Sequence, residues 1–86
     1  MSYKVIFKKS AAKELAELPI IEIPKVRSAI EKLSDNPRPE GVKKLKGSSD
    51  PLWRIRIGNY RVIYAVDDVI RIVEIRAVGD RKEIYR

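Results

Sequence analysis

The sequence has no cysteine and no histidine, and both absences narrow the chemistry that it can carry. Without cysteine the chain has no disulfide, no thiolate nucleophile and no cysteine-based zinc site. Without histidine it lacks the commonest acid–base group and metal ligand. Any catalysis must therefore depend on Lys, Arg, Tyr, Ser, Asp or Glu side chains, and we expect no metal site and no cofactor.

Long apolar runs are also absent. The N-terminal stretch MSYKVIFKKSAAKEL contains no run long enough for a signal peptide or a membrane-spanning helix. We therefore expect a cytoplasmic protein with no membrane partner. With 86 residues the chain has room for one hydrophobic core, so residues 1–86 are predicted to form a single domain.

Positive charge dominates the composition. There are 19 Lys and Arg residues against 12 Asp and Glu, which gives a formal charge of +7. Between Val42 and Arg61 six basic residues stand against the single acid Asp50. An excess of positive charge suits a polyanionic partner, namely a nucleic acid, an acidic protein or a membrane surface.

The first half of the chain predicts one strand and two helices. Alternation over residues 3–8 is typical of a strand with one buried face. Ser10 is expected to cap a helix over residues 11–18. Pro24 suits the first turn of a second helix, in which apolar residues recur at helical spacing as far as Leu33. Together these helices form an αα-hairpin whose apolar stripe needs a sheet to cover it.

The second half predicts three strands after a polar connection at residues 40–51. The two separators, Gly58 with Asn59 and Asp67 with Asp68, are tight-hairpin signals. The order β-α-α-β-β-β indicates an α+β fold, in which the αα-hairpin packs on one face of a mostly antiparallel sheet. The predicted strands cover residues 53–57, 60–66 and 69–78.

The first hairpin determines which side chains share a face of the sheet. If Gly58 and Asn59 are the central turn residues, Arg56 stands opposite Arg61, with Arg54 on the same face. Like charges placed opposite each other are unfavourable, so folding alone would not select this arrangement, and an anion is expected between the arginines. A two-residue turn at the second hairpin would set Arg61 opposite Glu74.

The opposite face is predicted to be apolar and to carry the αα-hairpin. By the same alternation, Trp53 belongs to the core rather than to a base-stacking surface. The predicted apolar face consists of Trp53, Ile55, Ile57, Tyr60, Val62, Tyr64, Val73 and Ile75.

Three segments resemble a known family. The segments are LKG at residues 45–47, LWRIRIGNYRVIY at residues 52–64 and VGDRKEIY at residues 78–85. In this order and spacing the chain is similar to the RelE/ParE toxin superfamily, the toxin halves of prokaryotic type II toxin–antitoxin modules. The resemblance covers essentially the whole chain. Members like RelE cut messenger RNA in the ribosomal A site, whereas members like ParE block DNA gyrase.

The resemblance to the RelE branch implies a set of site residues and partners. The arginines would bind and stabilise the scissile phosphate, and the tyrosine would contact or deprotonate the 2′-OH. The implied partners are a cognate antitoxin with an acidic segment that wraps the toxin, the 70S ribosome and mRNA. The implied catalytic residues are Arg54, Arg56, Arg61, Arg81 and Tyr85, and the implied contacts to ribosomal RNA are Lys43, Lys44 and Lys46.

Two other functions stay open at this point. A ParE-like gyrase inhibitor would share the fold without any nuclease chemistry. A small basic nucleic-acid-binding domain would explain the charge, but not the combination of Arg81 with Tyr85. Each of the three lysines individually is equally well explained as a solubilising surface residue.

Overall fold

The computed structural model describes residues 2–47 and 51–80. Within them the fold is α+β and mostly antiparallel in its sheet, as predicted. None of the helices in these two segments is long and apolar enough to cross a membrane. The elements are β1 (Lys4–Phe7), α1 (Lys9–Ala16), α2 (Ile23–Lys32), β2 (Lys43–Lys44), β3 (Leu52–Ile57), β4 (Tyr60–Asp67) and β5 (Ile72–Asp80).

The sheet has five strands in the order β1-β5-β4-β3-β2. Strand β1 runs parallel to β5, and the other neighbouring pairs are antiparallel. The two-residue strand β2 pairs Lys43 with Arg54 and Lys44 with Trp53. It lies within the connection that was predicted to be without a strand, because two adjacent lysines offer no alternation of apolar and polar residues from which a strand is predicted.

The two helices depend on their packing against the sheet. With 8 and 10 residues they are shorter than the ~12–15 residues that an isolated helix needs in water. Helix α1 buries Ala11 and Leu15, and α2 buries Val26 and Ile30. Pro24 lies in the first turn of α2, as predicted. The prediction for Ser10 is wrong, since α1 begins at Lys9, two residues before the predicted start at residue 11, with Lys8 at the N-cap position.

The core lies between the helices and one face of the sheet, as the alternation predicted. Trp53, Ile57 and Tyr60 are half-buried and pack against it. The hydroxyl of the fully buried Tyr64 donates a 2.6 Å hydrogen bond to the carbonyl oxygen of Pro37. Burial raises the pKa of Tyr64 to about 12. The largest fully buried side chains are Tyr64, Ile30, Leu33, Ile75, Val26, Val62 and Val73.

The first hairpin has the predicted register. Ile57 pairs with Tyr60, and Arg56 pairs with Arg61, so Gly58 and Asn59 are the two central turn residues. Gly58 has a φ of +59°, which a first-position glycine adopts without the steric cost that a side chain would bring.

The second hairpin differs from the prediction. Asp67 pairs with Ile72, so the loop has four residues rather than two. One oxygen of the Asp67 carboxylate, Oδ1, accepts hydrogen bonds from the backbone N–H groups of Val69 and Ile70, at 2.9 and 3.1 Å. Arg71 closes the loop with a φ of +57°. A side chain that satisfies the loop backbone thus stabilises a longer turn than the sequence alone indicated.

The longer loop and a register shift move Glu74 away from Arg61. The shift lies between Ile63 and Tyr64, and Arg61 pairs with Gly79 while Glu74 pairs with Ala65. The predicted pairing of Arg61 with Glu74 is therefore wrong. Glu74 instead accepts a hydrogen bond from Nε of Arg76.

We expect Tyr64→Phe to lower the free energy of unfolding by about 1–3 kcal/mol, because the buried Pro37 carbonyl would lose its donor. Urea unfolding followed by circular dichroism measures this. Tyr60→Phe is the matched control, since it removes a hydroxyl from a half-buried ring on the same face, and we expect a change within about 0.5 kcal/mol. Equal midpoints for wild type and Tyr64→Phe would contradict the assignment.

The pKa of about 12 for Tyr64 also predicts a dependence on alkaline pH. Because the unfolded tyrosine loses its proton near pH 10, the folded state holds more protons between pH 10 and 12, and stability falls as the pH rises through that range. Tyr64→Phe should lack this contribution. Urea titrations of the two proteins should therefore show that the difference between their free energies of unfolding is smaller at pH 11 than at pH 9.

Candidate functional site

Four basic residues share one corner of the sheet face that points away from the helices, which we call the open face. Cross-strand partners lie on the same face, and Arg54 pairs with Lys43 on one side and with Ile63 on the other. Arg56 pairs with Arg61. We refer to Lys43, Arg54, Arg56 and Arg61 as the basic cluster.

The members of the basic cluster differ in burial. Arg54 is 7% exposed and Arg61 is 6% exposed, whereas Arg56 and Lys43 are exposed. Burying a guanidinium group is costly, and the surrounding low dielectric strengthens its attraction to any anion placed beside it. Arg54 and Arg61 therefore place two buried positive charges in the sheet, and Arg56 and Lys43 add two exposed charges beside them. Sequence reasoning brought the arginines together but gave no signal of this burial.

The three predicted lysine contacts do not form a single patch. Lys43 belongs to the basic cluster on the open face. Lys44 pairs with Trp53 on the helix-bearing face, where its ammonium nitrogen lies 6.0 Å from the centre of the Trp53 ring. Lys46 is exposed beyond the end of β2. Because β2 was not predicted, the sequence did not reveal that adjacent lysines point to opposite faces.

Arg81 and Tyr85 lie outside the described residues. The strand that leads to them does end beside the basic cluster, since Gly79 pairs with Arg61 and Asp80 with Tyr60.

A second polar cluster was not predicted. Arg38 donates two hydrogen bonds to the Asp68 carboxylate, at 3.1 and 2.8 Å, and the Tyr3 hydroxyl donates a third at 2.7 Å. Hydrogen bonds from Arg38 and Tyr3 lower the pKa of Asp68 to about 2. The Arg38 guanidinium also lies 5.1 Å from the centre of the Trp53 ring. These contacts join four segments that are remote in sequence, so no local motif could have indicated them.

The arrangement on the open face suits phosphate chemistry. Guanidinium groups match phosphate oxygens in geometry, and they keep their charge at any physiological pH. Fixed cations can stabilise the extra negative charge that develops on a phosphate during transfer. Within residues 2–47 and 51–80 no group of three or more His, Cys, Asp and Glu side chains is placed to hold a metal ion.

Comparison with known proteins identifies the family. The family model described as ParE toxin of type II toxin–antitoxin system, parDE, matches residues 5–85. The RelE1 protein of Methanocaldococcus jannaschii is 40% identical, over 100% of this chain and 98% of the relative. Toxin RelE of Mycobacterium tuberculosis is 36% identical, over 98% of this chain and 87% of the relative.

Solved structures with a similar fold include toxins of the same family. A chain in the crystal structure of the archaeal RelE–RelB complex from Pyrococcus horikoshii superposes with a TM-score of 0.82 and 32% identity. The match covers 96% of this chain and 99% of that one. The chain belongs to the ParE toxin family of type II toxin–antitoxin systems and is a toxin of the RelE type.

We expect Asp68→Asn to be less stable than wild type at neutral pH, and the difference to shrink in acid. Because the folded pKa of Asp68 lies below its ordinary value of 3.8, at about 2, its stabilising contribution is lost as the pH falls from about 4 to 2. Thermal unfolding at pH 7, 4 and 2 measures this. Asp35→Asn, at another exposed carboxylate, controls for the general effect of removing a negative charge from a basic protein.

Proposed function

We propose that this toxin is an endoribonuclease that cuts mRNA in the A site of the 70S ribosome and thereby inhibits translation. The observation that carries the proposal is the basic cluster, in which three arginines, two of them buried, converge on one corner of the open face. Kinship with toxins named RelE supports the same conclusion. The substrate supplies the nucleophile, so the reaction needs neither a metal nor a cofactor.

The reaction is attack by the 2′-OH of RNA on its own 3′-phosphate. The new bond joins the 2′-oxygen to phosphorus, and the bond from phosphorus to the 5′-oxygen breaks. The proton leaves the 2′-OH and a proton is delivered to the 5′-oxygen, which gives a 2′,3′-cyclic phosphate and a 5′-OH. Arg54, Arg56 and Arg61 bind the non-bridging oxygens and stabilise the extra charge of the transition state. Arginine is a poor proton donor or acceptor, so these residues act through charge.

Two residues outside the described segments complete the proposed site. In this proposal Arg81 would act at the leaving 5′-oxygen, and Tyr85 would contact or deprotonate the 2′-OH. An isolated tyrosine with a pKa of about 10 is a weak base, but neighbouring cations lower that value. The pairing of Gly79 with Arg61 supports this assignment, because the chain leaves β5 next to the basic cluster.

The ribosome compensates for this weak acid–base set. By holding the message in an attack-ready geometry it supplies the orientation that a small protein cannot enforce alone, so free RNA is cut poorly. Lys43, Lys44 and Lys46 contact ribosomal RNA phosphates in this proposal. Since Lys43 and Lys44 point to opposite faces of the sheet edge, the ribosomal RNA would contact both sides of β2. Such contacts weaken steeply with added salt.

The proposal includes a cognate antitoxin. RelE of Pyrococcus horikoshii was crystallised with RelB, and this toxin is expected to bind a partner of its own. An acidic, partly disordered segment that folds on binding would complement the basic cluster. If its carboxylates cover Arg54, Arg56 or Arg61, inhibition is direct. If it wraps elsewhere, the complex is inhibited because it is too large for the A site.

Inhibition of DNA gyrase is the second candidate. It is favoured by one observation, namely that the matching family model describes the toxin of parDE modules. A gyrase inhibitor acts by binding a protein and has no need of arginines placed to bind a phosphate. Purified toxin that inhibits gyrase supercoiling while leaving ribosome-bound message intact would replace the nuclease proposal.

We expect Arg61→Ala to reduce cleavage of ribosome-bound mRNA by roughly 10²–10³-fold, because one fixed cation is lost from the transition state. RNA-end mapping in a cell-free translation system measures the loss. Since Arg61 is buried, the exposed Arg56→Ala provides a variant with little risk to folding, and it should also cut more slowly. Arg27→Ala, an exposed arginine on α2, is the matched control and should cut at the wild-type rate.

We expect Tyr85→Phe and Arg81→Ala to abolish cuts inside ribosome-bound codons while the proteins still fold and bind ribosomes. Toeprinting on stalled ribosomes reports cleavage, and co-sedimentation with ribosomes reports binding. Wild-type rates of cleavage in both variants would place the chemistry elsewhere.

A further inference from the structure

The open face carries a pocket that the proposed chemistry does not use. It has a volume of about 350 Å³, within the range of roughly 300–1,000 Å³ that is usual for small-ligand sites. Its walls are mainly apolar, and the polar groups among them are one ion pair and Asp67, whose Oδ1 accepts hydrogen bonds from the loop backbone. The lining includes Ile6, Ala65, Ile70, Ile72, Glu74 and Arg76.

The pocket lies next to the basic cluster along the same strands. Ala65 pairs with Leu52 and shares the open face with Ile63, which pairs with Arg54. Residues i and i+2 of a strand are about 7 Å apart, so Ala65 in the pocket floor lies about 7 Å along β4 from Ile63, the partner of Arg54. A single nucleotide reaches across that distance, with its phosphate on the arginines and its base in the pocket.

An irregularity in β5 helps to bring the ion pair to the pocket. Two residues, Arg76 and Ala77, separate the buried Ile75 from the buried Val78, where a regular strand would have one. The register shift between Ile63 and Tyr64 is the corresponding feature on β4. A bulge of this kind redirects a side chain, and it lets Arg76 lie on the open face beside Glu74 together with Ala77. Arg76 donates its Nε hydrogen bond to Glu74 inside the pocket.

Stability is a weak explanation for this pair. Side-chain exposures of 33% for Arg76 and 36% for Glu74 leave both groups partly solvated, and such pairs contribute little to folding. The pocket thus combines apolar walls with one carboxylate and one guanidinium. Apolar walls can pack against the ring of a base, and the charged groups can form hydrogen bonds with its polar edge.

We propose that this pocket receives the base of a nucleotide adjacent to the scissile phosphate, and that Glu74, oriented by Arg76, selects bases with an exocyclic amino group over uracil. This inference rests on the proposed nuclease function and adds a specificity-determining residue to it. A carboxylate accepts hydrogen bonds from the amino groups of adenine, cytosine and guanine. Uracil presents carbonyl oxygens at the corresponding positions, and these face the carboxylate unfavourably.

The test measures cleavage of ribosome-bound messages that differ only in the base on either side of the cut. Wild type should cut amino-bearing bases about five- to tenfold faster than uracil at one of these positions, as expected for one good contact to a base edge. Glu74→Gln should bring that ratio to within twofold, because an amide offers a donor as well as an acceptor. Glu31→Ala, which removes an exposed carboxylate from α2, should keep the wild-type ratio.

A second variant tests the pocket by size. Ala65→Leu fills part of the floor, so cutting next to purines should fall more than cutting next to pyrimidines. Unchanged base ratios in both variants, or a uniform loss of rate in both, would overturn the pocket while leaving the nuclease intact. If wild type leaves ribosome-bound message uncut, the nuclease proposal itself fails, and base reading fails with it.

Discussion

The structure depends on the burial of one sheet face beneath two helices that are too short to be stable alone. Residues such as Tyr64, Ile30 and Ile75 fix which face is covered. Since successive side chains of a strand point to opposite faces, burying Ile55 and Val62 leaves Arg54 and Arg61 on the other side. The basic cluster is thus a geometric consequence of the core.

Features that depend on neighbouring residues could be predicted from the sequence, whereas features that depend on contacts across the fold could not. The turn at Gly58 and Asn59 is specified by two adjacent residues, so its register could be derived from the sequence. The loop after β4 depends on the Asp67 side chain accepting bonds from the loop backbone and on the left-handed conformation of Arg71, neither of which a two-residue turn signal indicates. The face assignment nevertheless held. The cross-strand partner of Glu74 is Ala65 rather than the predicted Arg61, which is a register difference of four residues. A difference of an even number of residues keeps the side chain on the same face, and only an odd number moves it to the other face.

In the candidate site, too, local patterns could be predicted from the sequence and tertiary contacts could not. Strand alternation placed Arg54 and Arg56 on one face, and the two-residue turn at Gly58 and Asn59 added Arg61 to that face. It did not show that Arg54 and Arg61 are buried, since the period of a strand assigns a side chain to a face and says nothing of its exposure. Nor did it separate Lys43 from Lys44, because the pairing of β2 with β3 is set by tertiary structure. The cluster of Tyr3, Arg38 and Asp68 joins residues 30 and 65 positions apart, and no local pattern encodes it.

Burial gives the two kinds of arginine different roles. A guanidinium held in the sheet does not have to reorganise when charge develops on a phosphate, whereas an exposed one must give up water and conformational freedom to make the same contact. In the proposed reaction all three arginines of the basic cluster contact the phosphate. Arg54 and Arg61 would do so without reorganising, whereas the exposed Arg56 would first have to be ordered. An acidic antitoxin segment of the proposed kind would meet the same positive charge. Because a guanidinium group matches carboxylate oxygens as well as phosphate oxygens, such a segment and RNA would compete for the open face.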